Sequence, residues 1–561
     1  MATPRTRRTF VKQAGGLLAA VQAGGGLLFA ADDPSATLEY ITATTATGQV
    51  RGVVDRDVKI FKGIPYGDST AGKNRFMPPR PPTPWTGTRD ALQWGLSAPQ
   101  TVPPAKPREF EESEDCLALN VFTPGLDGAK RPVMVWLHGG GWANGSGSSP
   151  ITAGTNLARK QDVVLVSLNH RLNVFGFTPL GHAAGADFAA AGAVGLLDIV
   201  SALQWVRDNI ERFGGDPGRV TIFGQSGGGR KVAALMSMPA AKGLFHRGIV
   251  ESGAILRLTD PGDAERQTAL LLADLGLQPG QTRQLQAVPM ERLLQANERA
   301  NQKLVEQWPF REHGWAPNTP TVDGVYLPHH PWDPHGPAVS RDVPLMIGWA
   351  HTEETNWIRP TPENRALDEA GLHSWVERRL RAGTILYKDR KVEMFGQRAG
   401  HVDTQKVIDA FRWDNPGASP YDLYVLFASD DPRGTHSREI GKRKAKLGGA
   451  PVYVYRFDWE TPEGGGLRSP HAIDIQFAFN NIALGGKLIS KRQDAYELAD
   501  KVSAAWAAFA RTGNPNTPQL PTWPVYSAER RDTLLFNINS RVAQDPNQKA
   551  RIAMEHVLGL A

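Results

Sequence analysis

Val220-Thr221-Ile222-Phe223-Gly224-Gln225-Ser226-Gly227-Gly228 is an apolar run that ends on a serine set between glycines. The G-x-S-x-G pattern carries little by itself, but its setting is specific. Lys231-Val232-Ala233-Ala234-Leu235-Met236 reads as a helix that begins just after it. A serine on a sharp strand-to-helix turn is held in a strained backbone that lifts its hydroxyl above the edge of a sheet. Glycines must flank it, because a side chain there would strike neighbouring elements. The helix N-terminus favours negative charge developing nearby. Ser226 is therefore the candidate nucleophile.

Other short apolar runs surround this one. They are Val133–Leu137, Val163–Leu168, Gly248–Val250, Pro344–Gly348 and Val452–Tyr455. Runs apolar on both faces suit a buried parallel sheet. Val194 to Phe213 carries Leu197, Val200, Leu203, Val206 and Ile210 at helical spacing. Strand and helix in alternation predict an α/β fold, a large and mostly parallel sheet with helices on both faces. Stretches at about 261–338 and 364–446 read as mostly helical, polar insertions over the sheet. The proline-rich loop from Ser97 to Glu114 is expected to wander over the surface.

His138-Gly139-Gly140-Gly141-Trp142 follows the first long apolar run directly. Three glycines let backbone amides face one point, which suits the negative oxygen of a tetrahedral intermediate. The amides of Gly140 and Gly141, joined by that of Gly227, are the candidate oxyanion donors.

The chain has 561 residues, 41% of them apolar and 21% charged, an ordinary globular composition that rules out a disordered or collagen-like polymer. Its formal charge is 63 − 57 = +6, and Arg5, Arg7, Arg8 and Lys12 supply four of these before the first acid, Asp32. The remaining +2, with no basic cluster, gives no reason to expect nucleic-acid binding. Those basic residues precede an apolar, glycine-rich run to Ala30, so residues 1–31 read as a secretory leader of the twin-arginine type. The leader predicts a periplasmic or secreted protein with no stable membrane association after cleavage. Residues 32–561 are then expected to form a single domain. One cysteine, Cys116, excludes an internal disulfide and a thiolate metal cluster. His329, His330 and His335 lie among prolines without a further ligand in view, so no metal is expected, and no cofactor motif is present.

Several motifs in order resemble the type-B carboxylesterases, the α/β-hydrolase group that includes para-nitrobenzyl esterases and cholinesterases. They are Phe61-Lys62-Gly63-Ile64-Pro65-Tyr66, Glu114-Asp115-Cys116-Leu117-Ala118-Leu119-Asn120-Val121, Phe223 to Gly229, and Thr512-Gly513-Asn514-Pro515-Asn516 with Trp523-Pro524. The resemblance implies the order serine, acid, histidine along the chain. It places the acid at Glu353, with Glu354 the runner-up, and the base at His471 in the Arg468–Phe477 loop. It gives Asp474 a loop-fixing role and puts Ser252 near the triad. His351 precedes the acid and does not fit as the base.

Gln225 stands where many relatives have glutamate, which removes an attraction for cationic substrates. The Ser97–Ser113 loop lacks the tryptophan that cholinesterases set against choline, so cholinesterase activity is disfavoured. Relatives often bridge the Cys116 position to a cysteine near Ala98. Here Cys116 is expected to be a free, buried thiol. Trp142, Gln225 and Trp349 are the candidate substrate contacts. The implied activity is hydrolysis of a small-molecule carboxylic ester through an acyl-enzyme. The alternatives are a related amide, lactone or polyester substrate, or a non-catalytic binding protein on the same fold.

Overall fold

A computed structural model describes residues 38–101, 110–307, 318–382, 384–387, 390–393, 403–485, 488–489 and 491–560. The leader read at residues 1–31 lies outside them. In chain order the strands are β1 (Tyr40–Thr45), β2 (Gly48–Asp55), β3 (Val58–Pro65), β4 (Thr88–Asp90), β5 (Ala118–Thr123), β6 (Arg131–Leu137), β7 (Val164–Leu168) and β8 (Gly215–Gln225). They continue with β9 (Arg247–Glu251), β10 (Leu345–Ala350), β11 (Thr384–Tyr387), β12 (Arg390–Glu393), β13 (Val452–Phe457), β14 (Asp532–Phe536) and β15 (Arg541–Gln544).

All but β11 and β12 join one sheet, in the order β1-β2-β3-β5-β7-β6-β8-β9-β10-β13-β14-β15, with β4 alongside β2. From β7 to β14 each strand runs parallel to its neighbour. The β2-β3-β5 edge and the last strand, β15, are antiparallel. The six apolar runs all become strands of the parallel section. β7, β10 and β13 are buried along their whole length, because helices cover both faces and leave neither to solvent. The helices Val194–Asn209 and Gln493–Thr512 both pack on β8. Each Val, Leu or Ile so buried contributes roughly 1.5–3 kcal/mol.

Register decides what stands at the sheet's edge. Leu137 aligns with Gly224, Gln225 with Glu251, and Glu251 with Gly348. The loops that begin at His138, Ser226, Ser252 and His351 thus leave the sheet side by side. In a parallel sheet this carboxyl edge is where α/β folds place their sites.

Both insertions are mostly helical, as expected, with non-helical parts, and the expected course of the proline-rich loop needs correction. The first insertion is helical over Pro261–Leu275 and Met290–Gln307, but from Asn318 to Pro337 it has no regular helix. Pro320, Pro328, Pro331, Pro334 and Pro337 remove backbone donors there. The second insertion contains the antiparallel pair β11–β12, in which Ile385 faces Val392, a placement that suits β-branched residues. The N-terminal flank of the proline-rich loop is buried, not superficial: Ser97, Ala98 and Gln100 are all inside. Ser97 Oγ pairs with Ser146 Oγ at 2.7 Å, and Gln100 exchanges hydrogen bonds with the backbone of Gly145. Residues 102–109 of that loop lie outside the described residues. Among the described residues, no helix is long and apolar enough to cross a membrane.

Candidate active site

Ser226 is the single residue between β8 and the helix Gly227–Leu235, and its backbone stands at φ +58°, ψ −121°. That region is costly for any residue with a Cβ, by about 1–3 kcal/mol. The cost is borne because the turn is tied on both sides. The Ser226 amide donates to Glu251 O at 2.8 Å, and Ser226 O accepts from the Arg230 amide at 3.0 Å. Glycine is required around it by direct approach of backbone. A Cβ on Gly228 would lie 1.9 Å from Leu137 O, and one on Gly227 would lie 2.2 Å from Gly141 O. Ser226 keeps partial access to solvent.

The loop after β6 reaches over this turn. Gly140 and Gly141 take φ values of +86° and +64°, open to glycine and strained for other residues. Among the described residues neither amide donates a hydrogen bond. The Gly227 amide opens a helix and so has no partner within it. Close packing of Gly227 on Gly141 brings these donors together. Beneath the loop the buried Lys231 amine donates to His138 O at 2.8 Å, and the His138 ring stacks on His170 at 4.9 Å. Burial, with Arg230 nearby, pulls the Lys231 amine down to about 7. Burial and the Lys231 charge hold both imidazoles well below the usual histidine range.

Glu353 and His471 meet from opposite ends of the sequence. Nδ1 of His471 pairs with Oε2 of Glu353, whose Oε1 accepts from the Ala350 amide at 2.9 Å. The two loops are also laced through their backbones. His471 N–H donates to Glu353 O and Thr352 N–H donates to Ser469 O, and the Asn356 side chain adds a bond from Nδ2 to His471 O at 2.8 Å. Burial would push the Glu353 carboxyl up, but His471, Arg433 and the Ser252 hydroxyl outweigh it and hold it below the usual range. Burial lowers the His471 ring, Glu353 opposes this, and Arg433 adds to it. Glu354 turns away to the Arg433 and Arg379 guanidiniums. Of the two acids, then, Glu353 is the one the structure brings onto the histidine.

The other candidates are placed as follows. The Gln225 amide nitrogen lies 3.3 Å from Nδ1 and 3.5 Å from Nε2 of His471. Trp142 packs edge-on to Phe177 within the core, and Trp349, also buried, lies under the Arg438 guanidinium. Asp474 lies three residues after His471 in the same loop. It is buried against Tyr455 and Glu251, and burial with Glu353 beside it pushes its carboxyl up to about 7. Cys116 is free and buried, and burial raises its thiol. Within the histidine-rich loop, the His330 ring pairs with Asp260 and accepts from the Leu258 amide.

Two residues next to the dyad escaped the sequence reading. Trp357 stands 5.1 Å from the His471 ring, and the Arg433 guanidinium lies 4.9 Å over Trp357. Arg433 sits in the Asp430–Gly434 kink of the second insertion, where no local motif marks it.

A family model described as the carboxylesterase family matches residues 39–554. The chain belongs to the carboxylesterase family. It is 34% identical to the para-nitrobenzyl esterase of Bacillus subtilis over 517 residues, covering 91% of this chain and 97% of that one. A solved carboxylesterase from Geobacillus stearothermophilus superposes with a TM-score of 0.76 at 34% identity, over 91% of this chain and 99% of the other. An esterase from Clostridium hathewayi, described as able to hydrolyse aliphatic aromatic polyesters, aligns with a TM-score of 0.75 at 31% identity, over 93% of this chain and all of that one. This carboxylesterase is a carboxylic ester hydrolase of the α/β-hydrolase fold.

Proposed function

We propose that this carboxylesterase works through Ser226, His471 and Glu353 by way of an acyl-enzyme. His471 Nε2 takes the proton of Ser226 as Oγ attacks the ester carbonyl, and Glu353 holds the ring through Nδ1 and stabilises the imidazolium. The carbonyl oxygen becomes an oxyanion facing the amides of Gly140, Gly141 and Gly227. Collapse breaks the bond to the alcohol, which leaves with the proton returned by His471. Water then attacks the acyl-enzyme by the same route and releases the acid. The main support is that a strained, partly accessible serine and an acid-bound imidazole occur on loops that leave the same edge of one sheet.

Ser226→Ala is expected to lower 4-nitrophenyl butyrate hydrolysis by about 10⁴-fold or more while the near-ultraviolet circular dichroism stays unchanged. A phosphonate probe should label the unmodified protein at Ser226. Activity retained in the folded alanine variant overturns the assignment. A polyester substrate is a second reading, favoured by the Clostridium hathewayi neighbour, and release of soluble acid from a polyester film tests it.

A further inference from the structure

The nucleophile helix carries a cation that the reaction does not use. Arg230 follows Ser226 by one turn of chain, and its amide donates to Ser226 O at 3.0 Å. The side chain is partly buried. Among the described residues its guanidinium makes no hydrogen bond or ion pair. Arginines buried more deeply elsewhere in this protein are matched: Arg75 with Glu114, Arg171 with Asp198, Arg379 with Asp431 and Arg438 with Asp430. The nearest charge felt by Arg230 from another element is that of Arg433, which has the same sign; burial first and Arg433 second bring it down to about 10. It therefore remains cationic at neutral pH.

The carboxyls around Ser226 do not balance it. The residue before the serine is the neutral Gln225. Glu251 is buried beside Asp474, and burial with the Asp474 charge pushes its carboxyl well above the usual range; burial with Glu353 nearby pushes Asp474 up to about 7. Glu354 is shared by Arg433 and Arg379. Glu353 is ionised but lies between His471 and Arg433, whose Nε is 3.8 Å from its Oε2. None of these carboxyls is paired with Arg230, and a guanidinium with five donors in a planar fork is left for an anion.

We propose that Arg230 binds a carboxylate on the substrate, so that the preferred esters of this enzyme carry a negative charge on the acyl or the alcohol part. The inference rests on the esterase reading of the site and deepens it. Such a contact rewards one class of ester over its uncharged analogue because the unsatisfied guanidinium penalises the latter.

Two matched pairs test the proposal on the full chain. Mono-4-nitrophenyl glutarate against 4-nitrophenyl pentanoate places the charge on the acyl side. The butyrate ester of 3-hydroxybenzoate against that of 3-hydroxybenzamide places it on the alcohol side. In at least one pair, Arg230→Met is expected to lower the charged-to-neutral ratio of kcat/KM by about 10- to 100-fold, with Arg230→Lys retaining part of it. Arg230→Gln serves where the methionine variant does not fold. Unmodified protein that prefers the neutral ester by about tenfold in both pairs overturns the proposal, as does a folded variant with neither ratio changed. Failure of the esterase reading looks different, since then unmodified protein hydrolyses no member of either pair.

Discussion

Around Ser226 the chain touches its neighbours through backbone, while around His471 it touches them through charged side chains. Gly227 and Gly228 lie within a methyl group's reach of carbonyls on the β6 loop. Glu353, Arg433, Glu354 and Arg379 instead form a chain of ion pairs that leads away from the histidine. Backbone contacts have no rotamers to yield, so the first region is all-or-none. Ion pairs can be exchanged one at a time, so the second region is graded and can be tuned.

The largest expected effect tests the all-or-none side. Gly228→Ala forces a methyl onto Leu137 O and should abolish activity and much of the stability, read together by assay and thermal melt. A soluble, active variant would show that the turn can yield. On the graded side, Glu353→Gln is expected to cost about 10³- to 10⁴-fold in kcat, because the wrong tautomer of His471 is then favoured. Glu354→Gln should cost far less, because that acid touches arginine and not the imidazole. Equal losses in the two variants would erase the distinction.

The smallest effect is a shift along the pH axis. His471 acts as base only when neutral, and its burial and Arg433 both disfavour the imidazolium. The acid limb of kcat/KM should therefore lie below the ordinary histidine value of about 6.5, with rate rising as pH rises through it. Removing the Arg433 charge favours the imidazolium, so Arg433→Gln should move the limb to higher pH by about half a unit to one unit, and Arg433→Lys should not. A limb that stays in place in the glutamine variant shows that this cation does not govern the base.

The difference between the two regions also explains what could be read from the chain alone. Val220–Gly228 and His138–Trp142 carry their geometry in local sequence, since glycine spacing and an incoming apolar run dictate the turn. His471 and Glu353 are 118 positions apart. No local rule joins them, and only resemblance to a family placed both. Arg433 and Trp357 were invisible because their neighbours are set by how the second insertion folds back, which composition does not encode. Arg230 was different. It stands directly after three glycines and was passed over in the sequence reading, because whether its charge is met depends on which acids the fold brings near it. The corrected proline-rich loop follows the same logic, because Ser97 and Gln100 are ordinary polar residues until partners at Ser146 and Gly145 draw them inward.

The lacing of the acid loop to the histidine loop through Thr352, Ser469, Glu353 and His471 has a mechanical consequence. Acid and imidazole move as one plank, hinged together at main-chain level. A displacement of either loop therefore carries the other with it, so the acid stays on its imidazole.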